Sequence, residues 1–484
     1  MEEVSFVPQE EIEIELYDVV IVGAGISGLT AAFRLFQLRQ SLTIKILEAK
    51  DRVGGRIYTA DLPAANNSID LWDLGGSWIG NKNIQPFINQ LLAELNLKTY
   101  PQNFTGNKIL QTGKKHKVTS YDSTIPDVGL ASLFDGANLM KSLEGMQRKL
   151  STSNKYLDPN LIDYDSMTAE TLFKRKTWTS CILECIKAGL RAAFGSELNK
   201  LSALYLFAFA NSCGGFHNLL ESGEGTAHGY KIEGGASRIL LTILEIIGTD
   251  TIDIQTVVTS IEKKEDYSLI QTVSGTQYKA RHVIIAVPPH LILNIQFDPP
   301  LNPTKIEYFS SVIPGHSIKI ILTYETRFWL SEGFSGEIIT NGGPSFCDGC
   351  SSGPLCVVFD ATTENHSPAL VCFIGGEQAL QYESKTKTER KEAVLKSLEQ
   401  FFNPLKVRDF IAYCEKIWRH ESFVGGCPVT IVPPGVGRYI THALTDPENE
   451  LYFAGSELGK MWGGFMEGAV ESGERAALQI LSKY

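Results

Sequence analysis

Two glycine-bearing strand ends, more than four hundred residues apart, constrain this chain more than any other feature. Near the N-terminus, Tyr17-Asp-Val-Val-Ile-Val-Gly-Ala-Gly-Ile-Ser-Gly28 reads as a buried strand entering a glycine turn and then a helix. Toward the other end, Leu451-Tyr-Phe-Ala-Gly-Ser-Glu457 is a second apolar strand ending in glycine and an acid, followed by the helix-like Gly468-Ala-Val-Glu-Ser-Gly-Glu-Arg475. In the first segment Gly23 allows the tight turn, Gly25 lets the backbone approach a pyrophosphate, and Gly28 lets the helix pack closely on the strand. The pyrophosphate then sits over Ser27 at the helix N-terminus, where unpaired N–H groups and the helix dipole favour negative charge. A lone glycine motif is weak evidence, but its context fits here. Val19–Val22 is a convincing strand, Leu29–Leu35 starts a helix, and Ile44-Lys-Ile-Leu-Glu48 is a second strand. That strand ends twenty residues beyond Gly28 (48 − 28) in an acid placed for ribose hydroxyls. One nucleotide cofactor held by both ends of the chain is the reading.

FAD suits the pattern better than NAD. Directly after Glu48 comes Ala49-Lys-Asp-Arg-Val-Gly-Gly-Arg56, a second glycine pair flanked by arginines, and then the turn Asp73-Leu-Gly-Gly-Ser-Trp-Ile-Gly80. A simple nicotinamide domain does not need these turns. They suit a long cofactor whose ribityl chain and ring must be met by close backbone, through Lys50, Gly55, Arg56, Gly75, Gly76, Ser77 and Trp78. At these residues the chain resembles the flavin-dependent amine oxidases, which carry these segments in the same order. Phe453-Ala-Gly-Ser-Glu457 and Trp462-Gly-Gly-Phe-Met-Glu-Gly-Ala-Val-Glu471 continue the resemblance. It runs from about Tyr17 to the last helix, and within the family the monoamine oxidases are closest in motif.

Bulk properties narrow the class further. A chain of 484 residues exceeds one compact core, so two or three domains are expected. With 43% hydrophobic and 20% charged residues it is ordinarily globular. A net charge of −11 without a basic block argues against nucleic acid. Nine irregularly spaced cysteines suggest a reduced, cytoplasmic protein rather than a disulfide framework. The first sixteen residues are acidic, unlike a secretory or transit peptide, so the sequons at Asn66, Asn103 and Asn365 read as chance matches. Animal monoamine oxidases carry a C-terminal membrane helix, whereas this chain stops at Tyr484 and has no apolar run of about 20 residues. A soluble protein without a transmembrane anchor is expected; the terminal Ser-Lys-Tyr only half resembles a peroxisomal address.

The expected fold class is α/β: a Rossmann-type FAD-binding domain interleaved with a mixed helix-and-sheet substrate domain. Residues 1–90, 229–300 and 418–484 would form the first, and 91–228 and 301–417 the second. In the cofactor part a helix is expected over Ile239–Ile247, then one strand over Ile252–Val258, an antiparallel pair at 259–264 and 268–273, and a proline-stopped strand from Val283. In the substrate part Phe87–Leu95 and Cys181–Ala193 read as helices, and Ser317–Thr323 and Leu370–Ile374 as strands.

The resemblance assigns chemistry residue by residue. Cys427, in Phe423-Val-Gly-Gly-Cys-Pro-Val-Thr-Ile-Val-Pro-Pro-Gly435, stands where monoamine oxidases bond a cysteine to the flavin 8α-methyl group; the alternative is an inert buried cysteine. Lys319, in His316-Ser-Ile-Lys-Ile320, matches the lysine that holds a water against flavin N5, and alternation puts it on one face with Ser317. Trp418 matches a tryptophan beside the flavin, and Val258, Gly455, Ser456, Glu457, Phe465 and Met466 complete the cofactor set. The substrate cage departs from the family. Of its two facing tyrosines, one is replaced by Pro428 and the other by Phe465, so one aromatic wall is kept and its opposite lost. His228 falls where the family has a substrate-contacting glutamine, and Leu219 and Leu220 at the gate; core packing is the alternative for the leucines. Cys347-Asp-Gly-Cys350 with Cys356 lacks a second ligand pair, so no metal is expected.

The activity implied is oxidation of a primary or secondary amine by oxygen, giving an imine, then aldehyde and ammonia, with hydrogen peroxide. Two rivals stay open: a polyamine or amino-acid oxidase, and a flavin-binding protein whose activity is weak or lost. A homodimer is open as well. No nucleic-acid partner is expected.

Overall fold

The computed structural model describes residues 14–122, 128–152, 163–220, 223 and 225–484, leaving the side chains of 149–152, 217 and 220 outside the description. Val19, Val20 and Ile21 have no solvent exposure, as befits a strand with both faces covered. Their strand, Leu16–Val22, is flanked in parallel by Ile44–Leu47 and Gln277–Ile285. Ile252–Asp253 and Leu451–Phe453 add further parallel pairings, the latter onto Gln277–Ile285. An antiparallel run through Ser268–Thr272 and Val258–Lys263, edged by Gln296–Asp298, completes eight strands. This parallel core with helices against it is the Rossmann-type α/β arrangement expected.

One strand expectation fails. Ile252–Val258 alternates like a single strand, but the ladder stops at Asp253. Gln255 turns through φ +53°, where its N–H donates to the Lys50 carbonyl and that of Thr256 to the Glu48 carbonyl. The next strand starts at Val258.

The two chain ends meet in the helices beside this sheet. Ile26–Leu38 packs against the last helix, Met466–Leu481, so closely that a Cβ at Gly473 would stand 2.2 Å from the Ser27 carbonyl oxygen. The last helix also supplies Glu467, which accepts the N–H groups of Phe87 (3.0 Å) and Ile88 (2.7 Å) in the first turn of Pro86–Glu94. Burial pushes the Glu467 carboxyl up to about 7 against those two bonds.

A second sheet of seven strands runs in the order Phe410–Ile417, Ser317–Tyr324, Ala369–Gly375, Val357–Asp360, Phe334–Thr340, Asn107–Thr112 and Lys117–Tyr121. Ser317–Tyr324 is buried along its whole length. Ile318, Ile320 and Leu322 join the core on one face, which leaves Ser317 and Lys319 for the other. The helix Ser180–Phe194 faces that side and ends in the left-handed Gly195 (φ +61°). No helix among the described residues is long and apolar enough to cross a membrane.

Candidate active site

A cavity of ≈ 580 Å³ draws its walls from both sheets. Gly23, Gly25, Ser27, Glu48, Ala49, Lys50, Gly55, Arg56, Gly75, Gly76, Ser77, Trp78 and Val258 line it. So do Leu219, His228, Lys319, Trp418, Cys427, Pro428, Gly455, Ser456, Glu457, Phe465 and Met466. Two of the expected residues stand apart. Gly28 does not reach the cavity; a Cβ there would lie 2.0 Å from the Gly23 carbonyl oxygen, so its glycine serves helix–strand packing. The side chain of Leu220 lies outside the described residues.

At the glycine end the surface is backbone. Gly25 caps the helix Ile26–Leu38 with no side-chain hydrogen bond, which leaves its first-turn N–H groups for a ligand. A Cβ built on Gly25 meets nothing within 4 Å, and one on Gly55 meets only Gly25 Cα at 3.8 Å. The two glycine turns touch through a Gly25–Gly54 bridge and a 2.9 Å bond from Gly54 N to the Ala24 carbonyl. Glu48 ties the turn down by accepting Ala24 N at 2.7 Å and Lys50 N at 2.9 Å. Burial raises its carboxyl in spite of these bonds. Its remaining acceptor capacity suits hydroxyl donors. An open glycine cradle at a helix N-terminus, beside an anchored carboxylate, fits the dinucleotide expected. The Lys50 ammonium is less available, because it is bonded to Glu421. Glu421 also takes Lys416 and Arg52, which together overcome burial and hold it at about 2.

At the middle of the cavity the two motif-bearing ends are joined by charge. Arg56 donates two hydrogen bonds of 2.7 Å to the Glu457 carboxylate, one of 2.8 Å to Ser456 Oγ and one of 2.9 Å to the Pro428 carbonyl. Burial opposes the Glu457 charge, yet Arg56, Ser456 and the Thr430 N–H hold it at about 2. The Cys427 thiol stands beside this group and is pushed up to about 11 by burial, against the pull of Arg56 and Lys319. Trp418, 1% exposed, is fixed by its indole N–H to the Leu74 carbonyl at 2.9 Å.

At the sheet end side chains make the surface. Lys319 Nζ donates to the Gly75 carbonyl (2.9 Å) and to Ser77 Oγ (2.6 Å). It lies 5.0 Å from the Trp78 ring centroid and 5.4 Å from that of Phe373. Burial lowers its ammonium to about 8, with Asp73 opposing. His228 stacks on Phe359 at 6.3 Å and meets the edge of Trp78 at 5.9 Å. Phe465 packs at 5.9 Å from Phe209 and 5.2 Å from Trp462. The wall removed by Pro428 is therefore not the only aromatic surface. Trp78, Phe359 and Phe373 form another, and reading the sequence missed the two phenylalanines. Glu337, Ile339 and Val357 were missed as well, and all three line the cavity. The one usable signal was alternation in apolar strands, which does not say which strands lie side by side. Leu219, 3% exposed, belongs to both the core and the cavity wall.

Comparison with known proteins agrees with this geometry. Residues 26–481 match the family described as flavin containing amine oxidoreductase. The chain is 31% identical over 466 residues to the flavin-containing amine oxidase B of Homo sapiens, covering 96% of this chain and 86% of that one. It is 28% identical over 470 residues to the flavin-containing amine oxidase A of Bos taurus, covering 97% and 85%. Among solved structures, cyclohexylamine oxidase from Brevibacterium oxydans is similar with a TM-score of 0.88 at 27% identity, covering 96% of this chain and 99% of that one. Wild-type putrescine oxidase bound to putrescine gives 0.86 at 25%, covering 97% and 99%.

Proposed function

The chain belongs to the flavin containing amine oxidoreductase family, and from that premise we propose how its cavity oxidises an amine. It is an FAD-dependent amine oxidase whose reactants are an amine and molecular oxygen. For a primary amine, RCH₂NH₂ + O₂ + H₂O gives RCHO + NH₃ + H₂O₂. Bound FAD supplies acceptance of a hydride equivalent from the amine's α-carbon and return of two electrons to oxygen. The observation that carries this reading is the union, in one cavity, of a glycine-and-carboxylate end with an aromatic end bearing a buried ammonium.

The chain's own residues would then divide the work. Gly23, Gly25, Ser27 and Glu48 hold the nucleotide part, and the Arg56–Glu457 pair with Ser456 braces the wall beside it. Lys319, locked by Gly75 and Ser77, keeps positive charge at the sheet end below pH of about 8. That charge disfavours a substrate ammonium nearby, so the amine is selected in its neutral form. It also favours negative charge developing on the cofactor and on oxygen. Trp78, Phe359, Phe373 and Phe465 exclude water and orient the substrate.

Cys427 is the proposed point of covalent attachment, a C–S bond replacing one S–H and one C–H of the 8α-methyl group, with the two electrons released passing to oxygen. Acid precipitation tests it: part of the yellow colour should stay with wild-type protein and none with Cys427→Ser. Complete release from the wild type would leave Cys427 an ordinary buried thiol. Amines of the aromatic, aliphatic and polyamine classes, added without air, should bleach the protein, and air should restore the colour with formation of hydrogen peroxide. A protein that stays yellow with all of them binds flavin without oxidising amines.

A further inference from the structure

The sheet end of the cavity terminates on a carboxylate that the oxidation itself does not use. Glu337 is 7% exposed, lines the cavity, and sits 3.2 Å from the Lys108 ammonium. A break in the sheet puts it there. Phe334–Thr340 pairs with Asn107–Thr112 at Phe334 and again from Ile338, and the register shifts in between. Gly336 turns through φ +86° at that point, where a Cβ would come within 3.1 Å of the Asp360 nitrogen. The Glu337 N–H donates to Ser335 Oγ at 3.2 Å. Bulges of this kind re-aim side chains. Glu337 and Ile339 both reach the cavity, while Ile338 joins the core on the other face.

Register also sets the span. Lys319 is paired with Phe373, Phe373 with Val357, and Val357 with Ile339, and all four line the cavity. Three strand spacings, about 14 Å, separate the backbone of Lys319 from that of Ile339, and Glu337 lies two residues from Ile339 on that far strand. The floor between is apolar, formed by Phe373, Val357 and Phe359, and small residues of Ser180–Phe194 also line the cavity. An amine presented at the Lys319 end thus extends its carbon chain along an apolar floor toward an acidic group. Lys108 balances the Glu337 charge but is not itself part of the cavity wall. A monoamine brings an alkyl end against that carboxylate, whereas a second ammonium brings a charge-assisted hydrogen bond.

We infer that Glu337 recognises the far end of the substrate, and that the preferred class is a linear aliphatic amine carrying a second, protonated nitrogen. This rests on the amine oxidase reading and narrows it. The test compares kcat/KM of the holoenzyme for a homologous series of α,ω-diamines with that for n-alkylamines of matching length. At its best length the diamine should exceed its monoamine by about tenfold or more, the size expected of a hydrogen bond to a charged group. Glu337→Gln should bring that ratio close to one. Glu337→Asp, with a carboxylate one methylene shorter, should move the best diamine to a longer one; a residue that only supports the fold would slow all substrates alike and leave the optimum in place. Should Glu337→Gln fail to fold with Lys108 unbalanced, Glu337→Gln combined with Lys108→Met gives the same readout. Equal rates for diamines and monoamines at every length, or an optimum that Glu337→Asp does not move, would overturn the assignment while the amine oxidase reading stands. Failure of every amine to reduce the flavin would overturn both.

Discussion

The two ends of the cavity are built on opposite plans. At the glycine end the cavity surface is backbone and side chains support it, as Glu48 does in holding the N–H groups of Ala24 and Lys50. At the sheet end the backbone is a rack, and the surface is a row of side chains from four strands: Lys319, Phe373, Val357 and Ile339. The first plan fails when any Cβ is added where the ligand lies. The second tolerates exchange of side chains on an unchanged rack, so the lining of the sheet end can alter without disturbing the glycine end.

Gly25→Val tests the first plan most severely. Gly25 has an ordinary φ of −71° and open space where a Cβ would point, so valine is compatible with the fold and incompatible with the ligand. The expected product is a folded protein, judged by circular dichroism, that purifies without flavin absorbance. A yellow variant would break the claim that backbone is the recognition surface there. Gly28→Ala should instead abolish folding, because its Cβ has no room.

Glu457→Gln probes the brace between the two plans. Breaking a buried ion pair by removing one partner costs about 3–5 kcal/mol. Because Glu457 is held at about 2 against an ordinary 4.5, its contribution is present above that ordinary value and is lost as pH falls toward 2. Urea titrations should therefore show wild type and variant converging across that window. A gap that persists unchanged into acid assigns the loss to packing rather than to charge.

Lys319→Met addresses the sheet end. Removal of one preorganised charge should slow flavin reoxidation by about 10²-fold, more than it slows reduction by amine. In the wild type the same step should decline as pH rises through about 8, where the ammonium is lost. Stopped-flow reoxidation that is indifferent to both changes removes Lys319 from the chemistry. The smallest effects belong to the cage. Phe465→Ala should lower, and Pro428→Tyr raise, turnover of an aromatic amine by about 2- to 30-fold, since a ring contact is worth roughly 0.5–2 kcal/mol. Unchanged kinetics for every amine with Phe465→Ala would place the substrate elsewhere in the cavity.

The same contrast explains what the amino-acid sequence discloses. A backbone surface demands glycine at fixed, contiguous positions, so Gly23, Gly25, Gly75 and Gly76 announce themselves, as does an acid closing a strand at Glu48. Lys319 and Cys427 stand out only through the family resemblance that their neighbours carry. Phe359, Phe373 and Glu337 carry no local signal. Each is an unremarked residue of an apolar strand, and only the pairing of strands distant in sequence brings them beside Lys319. Lys50 looks available until Glu421, 371 residues away, is found to hold it. The break after Asp253 is hidden for a similar reason: the alternation of Ile252–Val258 is real, but hydrogen bonds to the carbonyls of Glu48 and Lys50 win over the ladder.

The bonds between Arg56 and Glu457 span 401 residues, and the contact of Gly473 with Ser27 spans more. During synthesis Arg56 emerges 401 residues before Glu457, its partner in the facing wall. A nascent chain therefore carries the glycine turn without its opposite wall until those later residues have been made. Domains generally fold in order of appearance, but here the order of appearance and the order of assembly part company, and the cavity is complete only when segments from both ends of its wall are present.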